Sequence, residues 1–225
     1  RGSEVCVRLL MTRSDELLQE KEKKMRVGIV SDIHGQPDEL ERVLEHMAKM
    51  NIDRVLCAGD LVDKGPDSEG VIDLIRESCI PTVLGNHDEN AVRHNALHLQ
   101  SSPDETPLTE DALAFLEGLP MTRDYVWEGQ RLLLAHGIPT SNQRYFWPDK
   151  TPKGFKRWAR HCWTDIVVLG HTHRPMRVEW NDLLILNPGS VSCIRQRDSG
   201  TFGVLTLPEG RFEVFDHKTC ECVEF

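Results

Sequence analysis

Short apolar runs recur along the chain, and each closes on a polar turn. Val27-Gly28-Ile29-Val30 runs into Ser31-Asp32, and Val55-Leu56-Cys57-Ala58 into Gly59-Asp60. Thr82-Val83-Leu84 leads to Gly85-Asn86, Leu132-Leu133-Leu134-Ala135 to His136, and Ile166-Val167-Val168-Leu169 to Gly170-His171. Such brief runs without alternation fit strands covered on both faces. Between the first three the period changes to that of a helix. Leu40, Val43, Leu44 and Met47 keep helical spacing behind Pro37, and Val71, Leu74 and Ile75 do so behind a cap at Asp67 or Ser68. The predicted order is therefore β-α-β-α-β, with Thr82 to Leu84 as the third strand.

Beyond Asn90 the pattern weakens. Ser101 to Asp104 marks a loop, and Thr109 caps a helix carrying Leu113 and Leu116, which Gly118 and Pro120 stop. Tyr125 to Trp127 and Arg131 to Ala135 flank Glu128-Gly129-Gln130 as a hairpin, and Lys153 to Trp163 reads as a helix. Short strands follow at Met176 to Trp180, Leu183 to Leu186, Gly203 to Leu207 and Phe212 to Phe215, which suggests a second sheet.

The strand ends carry the chemistry. Asp32, His34, Asp60, Asn86, His136, His171 and His173 would converge in one crevice if the strands run parallel, because ligands bind at the carboxyl edges of such sheets. Carboxylate and amide oxygens mixed with imidazole nitrogens suit divalent first-row metals better than a bare acid/base site. Seven candidate ligands exceed the needs of one ion and suffice for two if one carboxylate bridges, so the residues point to a two-metal hydrolase.

Composition narrows the partners. The 225 residues fit one domain, expected over 25 to 225, and no apolar run is long enough to cross a bilayer. With 27 Lys and Arg against 36 Asp and Glu the net charge is −9, which argues against broad nucleic-acid binding but permits a small phosphorylated substrate beside bound cations. Seven scattered cysteines, with no Cys-x-x-Cys pair, read as a reducing cytoplasm. Cys220-Glu221-Cys222 beside His217 has poor spacing for a metal clip and reads as a terminal strand or tail. Residues 1 to 24 differ from the rest: Arg1-Gly2-Ser3 looks like a cloning scar, a short helix over Ser14 to Lys23 is plausible, and the segment reads as an extension or expression leader.

Five blocks in order resemble the signature of the calcineurin-like metallophosphoesterase superfamily: Asp32-x-His34-Gly35, Gly59-Asp60-x-x-Asp63-x-Gly65, Gly85-Asn86-His87-Asp88, His136-Gly137 and Gly170-His171-x-His173. Asn187-Pro188-Gly189-Ser190-Val191 further resembles the small cap-less phosphodiesterase branch of bacteria and archaea. The resemblance implies a four-layer α/β/β/α sandwich of two mixed sheets flanked by helices. It also implies one metal on Asp32, His34, Asp60 and His173, and another on Asp60, Asn86, His136 and His171, with Asp60 bridging. A hydroxide shared by the metals would attack phosphorus in line. His87 would assist the leaving group, Asp63 would orient it, and Lys64 and Arg93 are candidates for gripping phosphate oxygens. Related protein phosphatases carry arginine where Lys64 stands and glutamate where Asp88 stands. Tyr145, Phe146 and Trp147 could stack a nucleobase or simply pack. The remaining histidines, His46, His94, His98, His161 and His217, match no block and receive no chemistry.

The expected activity is hydrolysis of phosphodiesters of small or nucleotide-like molecules. Phosphomonoesters, including phosphoprotein, and diadenosine polyphosphates stay open, as does a non-catalytic scaffold of the same fold, against which the intact ligand blocks argue. Manganese is favoured among Mn, Fe, Zn, Ni and Mg, and a homo-oligomer is compatible with the sequence.

Overall fold

A computed structural model describes residues 24–96, 107–193 and 200–225 of the chain. The expected leader apart from Lys24, its Ser14 to Lys23 helix, the Ser101 to Asp104 loop and His98 lie outside these residues. The first half alternates: β1 (Met25–Val30), α1 (Pro37–Lys49), β2 (Arg54–Cys57), α2 (Ser68–Glu77), α3 (Asn86–Ala96) and α4 (Glu110–Glu117). The second half is β3 (Thr122–Trp127), β4 (Gln130–Ala135), α5 (Lys153–Ala159), β5 (Ile166–Val168), β6 (Pro175–Trp180), β7 (Leu183–Pro188), β8 (Thr201–Leu207), β9 (Arg211–Asp216) and β10 (Cys222–Val223).

Two five-stranded mixed sheets result, in the orders β10-β9-β8-β1-β2 and β3-β4-β5-β7-β6. β1 and β2 are parallel, as are β4, β5 and β7. Alternate residues sort the layers. Val27, Ile29, Leu56, Leu134, Val168 and Leu205 meet between the sheets, whereas Val30, Cys57 and Val204 face Leu40, Val43 and Ile75 of α1 and α2. On the far side Leu133, Val167 and Ile185 pack on Phe155 of α5 and on Phe146. The stack is thus the expected α/β/β/α sandwich, and strands buried on both faces explain the unbroken apolar runs. β1, β2, β4 and β5 all end at one edge of the stack, where their following turns lie together.

Some boundaries differ from the pattern. Thr82 forms a single parallel bridge with Cys57 rather than a strand. Pro81 offers only its carbonyl, to the Cys57 N–H, and by Leu84 the backbone has turned away to bond the Pro120 carbonyl. α5 stops at Ala159, because Phe155 and Trp158 reach the core but Trp163 is 82% exposed. α3 begins within Asn86-His87-Asp88, where the polar sequence gave no amphipathic signal. Thr109 caps α4 and Asp67 caps α2 as predicted, each accepting from a backbone N–H three residues on. Of the C-terminal cysteines, Cys222 belongs to a short strand paired with β9, and Cys220 lies before that strand with its Sγ against Met50 Sδ.

Candidate metal centre

Four turns after four strands, together with the N-terminus of α3, bring all seven predicted ligands into one cluster. None of the seven is more than 8% exposed. Two sets of ligand atoms lie within 4.8 Å of one another, Asp32/His34/His173 and Asp60/His136/His171, and a third, His34/Asp60/His87, overlaps them. Asp60 stands between: its Oδ2 is 3.2 Å from His136 Nε2 and 3.8 Å from His34 Nε2. Asn86 Oδ1 reaches His136 Nε2 at 3.0 Å, and His173 Nε2 approaches Asp32 Oδ1 at 3.1 Å.

The backbone is bent to make this cluster. Of twelve non-glycine residues with positive φ among the described residues, seven are Asp32, His34, Asp60, Asp63, Lys64, His171 and His173. Left-handed backbone at such residues costs about 1 to 3 kcal/mol each and persists only where surrounding contacts dictate it. The contacts are on hand. Asp88 accepts from the backbone N–H groups of Asp60, Leu61, Val62 and Gly85 at 2.9, 2.8, 3.3 and 2.9 Å, fixing the Asp60 turn to the start of α3. Gly85 admits no side chain, since a Cβ there would lie 2.1 Å from Asp60 Oδ1. On the other flank Ser190 Oγ and the Ser192 N–H donate to the Asp32 carbonyl, while the Asn187 amide donates to the Gly170 carbonyl. Asn142 binds the Gly85 carbonyl and Glu89, tying the loop after β4 to α3. Asp88, Asn142 and Asn187 thus support the cluster, although the sequence gave none of them a role.

Ring orientation frees the inward nitrogens. His136 Nδ1–H donates to the Ala58 carbonyl at 2.7 Å and His34 Nδ1 faces the Val62 carbonyl at 3.2 Å, so each Nε2 is left for the centre. Burial would push the Asp32 carboxyl up, but His173 and His136 beside it outweigh that and hold it at about 2. Burial likewise opposes ionisation of Asp60, yet its histidine neighbours, His136 above all, keep it below the usual carboxylate range. Burial brings His34 and His171 down to about 4, whereas His136, despite its burial, is raised to about 9 by Asp60 and Asp32. Burial and the Asp60 charge raise Asp88 to about 6 against its N–H donors.

The donor set fits cations. His171 Nε2 is buried and lacks a hydrogen-bond partner among the described residues, as expected of an atom that coordinates, and Asp32 Oδ1 meets the His173 ring, itself a ligand candidate. The Lys64 ammonium faces the same centre, 3.0 Å from His34 Nε2 and 2.9 Å from His87 Nε2. A positive charge is therefore what these nitrogens collect. His87 projects at the mouth with Nδ1 2.5 Å from Asp63 Oδ2, a contact that lowers the Asp63 carboxyl, and its backbone N–H donates to Asp60 Oδ1 at 2.9 Å. Arg93 is exposed farther along α3 and takes no part in the cluster's hydrogen bonds.

The aromatic triplet divides. Phe146 is buried against Phe155, whereas Tyr145 is 51% exposed and stacks on His171 with ring centroids 4.0 Å apart and planes at 15°. Trp147 lies beyond Tyr145 at 6.5 Å, with the Arg174 guanidinium 5.6 Å over its ring.

A sandwich with a buried His/Asp cluster at the strand ends defines a metal-dependent phosphoesterase. The chain belongs to the calcineurin-like phosphoesterase superfamily, whose domain model matches residues 25–210. Phosphodiesterase YfcE of Escherichia coli is 27% identical over 184 residues, 80% of this chain and 87% of that protein. Serine/threonine-protein phosphatase 1 of Salmonella typhimurium is 30% identical over 207 residues, 80% of this chain and 95% of that protein. A solved metallophosphoesterase from Sphaerobacter thermophilus has the same fold, with a TM-score of 0.63 at 22% identity, covering 90% of this chain and 89% of that one. Among the described residues no helix is long and apolar enough to cross a membrane.

Proposed function

We propose that Met25 to Phe225 act as one domain, a dinuclear phosphoesterase that cleaves phosphodiesters of small or nucleotide-like molecules in a reducing cytoplasm. The observation that carries this reading is the double cage around Asp60. Asp32, His34, Asp60 and His173 would hold one divalent ion, and Asp60, Asn86, His136 and His171 the other, manganese being the first choice. Ions held there supply charge neutralisation at phosphorus and acidify water at neutral pH. The chain's own residues do the rest. His87, oriented by Asp63 through Nδ1, presents Nε2 to the leaving oxygen as its proton donor. Lys64, already beside His87, offers its ammonium to a non-bridging oxygen, and Arg93 serves an outlying phosphate. Tyr145, half exposed at the rim with one face on His171 and Trp147 near by, offers its ring to a flat leaving group.

With Mn²⁺, bis-p-nitrophenyl phosphate is expected to turn over with a higher kcat/KM than p-nitrophenyl phosphate, and Tyr145→Ala to raise KM for a nucleotide diester by about tenfold with little change in kcat. Preference for the monoester would favour the second reading, a phosphomonoesterase, which the 30% identity to the Salmonella phosphatase supports. Dinucleoside polyphosphates belong in the same panel, since bis(5'-nucleosyl)-tetraphosphatase of Baumannia cicadellinicola is 32% identical over half of this chain.

Metal loading should also release a proton. Below about pH 9 the metal-free His136 holds a proton that a cation must displace, whereas His34, His171 and Asp32 have lost theirs well below neutrality. Affinity is expected to rise roughly tenfold per pH unit up to about 9 and then level off. Calorimetry at about pH 7.5 in buffers of different ionisation enthalpy should find at least one proton released, that of His136 together with any from ionised water; no release would refute this protonation pattern.

A further inference from the structure

Outside the metal cluster a second set of reactive groups comes together. Cys193 Sγ lies 3.1 Å from His217 Nε2. On the other side of that ring, Nδ1 is 3.2 Å from Glu39 Oε2, close enough for an ion pair though without hydrogen-bond alignment. The three come from distant places: the turn after β7, the turn after β9 and the first turn of α1. Cys193 is exposed whereas His217 is 1% exposed, so the residue that carries the thiol borders solvent while the imidazole is fixed behind it.

We infer that Cys193, His217 and Glu39 form an activated-thiol site that exchanges with low-molecular-weight disulfides. Nucleophile, base and orienting carboxylate at these separations are the arrangement that generates a thiolate. Several contacts hold it. The His217 N–H donates to the Gly200 carbonyl at 2.8 Å, and the Cys193 N–H donates to Gln36 Oε1 at 3.3 Å. Gly200, at φ +59°, leaves room: a Cβ there would sit 2.6 Å from the sulfur and 2.9 Å from Nε2. Glu39, whose Oε2 also accepts from the Arg42 guanidinium, lies beside Nδ1 and by its charge favours the tautomer with the proton on that nitrogen, which leaves the Nε2 lone pair facing the thiol. Burial lowers the proton affinity of His217, Lys218 and Arg42 add to that, and Glu39 and Asp216 oppose it. The ring is thus a neutral acceptor at neutral pH.

The exchange balances within the named groups. The Cys193 proton passes to Nε2 of His217, and the thiolate attacks one sulfur of R–S–S–R. A bond forms between Cys193 and that sulfur as the original S–S bond breaks, and the departing thiolate takes the proton back from His217 to leave as R–SH. The Cys193 sulfur is oxidised and the departing sulfur reduced.

The remaining cysteines supply internal controls, because Cys79 and Cys222 are also exposed. The whole reduced chain is treated with oxidised glutathione at about pH 7, quenched in acid and mapped by peptide mass spectrometry. Cys193 is expected to acquire the mixed disulfide at least about tenfold faster than Cys79 or Cys222. His217→Gln should bring Cys193 to within about twofold of those two with an unchanged circular dichroism spectrum, and Glu39→Gln should slow it to an intermediate rate. Cys193 reacting no faster than both controls in the unaltered protein, a comparison that needs no variant, would overturn the assignment. So would a folded His217→Gln protein whose Cys193 reacts at the original rate.

Discussion

Asp60→Asn is expected to lose at least one of two bound ions and to lower kcat/KM for bis-p-nitrophenyl phosphate by about 10³-fold or more, the several kcal/mol that metal stabilisation supplies. The amide keeps the shape of the carboxylate and one oxygen, so the His87 N–H at 2.9 Å can still be accepted and folding should survive. What disappears is the negative charge shared by His34 and His136, whose Nε2 atoms lie 3.8 and 3.2 Å from Oδ2. Metal counting by plasma mass spectrometry, run beside the assay, separates loss of ions from loss of fold. An Asp60→Asn protein that keeps both ions and most of its turnover would remove the bridge from the proposal.

His87→Ala is expected to behave differently. It should keep both ions yet slow turnover of a poor leaving group by about 10²-fold or more, with a much smaller effect on p-nitrophenolate, which departs without a proton. Asp63→Asn should show the same leaving-group dependence in weaker form, because Asp63 acts only by holding Nδ1 at 2.5 Å. Equal loss for both leaving groups, or loss of metal, would place His87 among the ligands, as its nearness to His34 and Asp60 allows.

The layers were legible because the central buried strands are short apolar runs and α1 and α2, on the first sheet, each keep one apolar stripe. The ligands were legible because every run ends in Asp, Asn or His. What stayed hidden depends on backbone conformation and distant contacts. No periodicity reports that Asp32, His34, Asp60, His171 and His173 adopt left-handed φ. Nor does it show that Asn142 crosses from the loop after β4 to the Gly85 carbonyl. Asp88 had a readable clue: an acid at the third residue of α3 reaching back to the N–H before the helix is a capping-box pattern, here extended to the Asp60 turn. Tyr145, Phe146 and Trp147 show the converse, for three adjacent aromatics look alike in sequence and only burial separates core Phe146 from Tyr145 on His171.

Anomalous diffraction at the manganese edge from crystals grown with Mn²⁺ tests the central claim most directly. The account predicts two peaks, both within coordination distance of Asp60, one also against Asp32, His34 and His173 and the other against Asn86, His136 and His171. A single peak, or two that share no oxygen of Asp60, would contradict it.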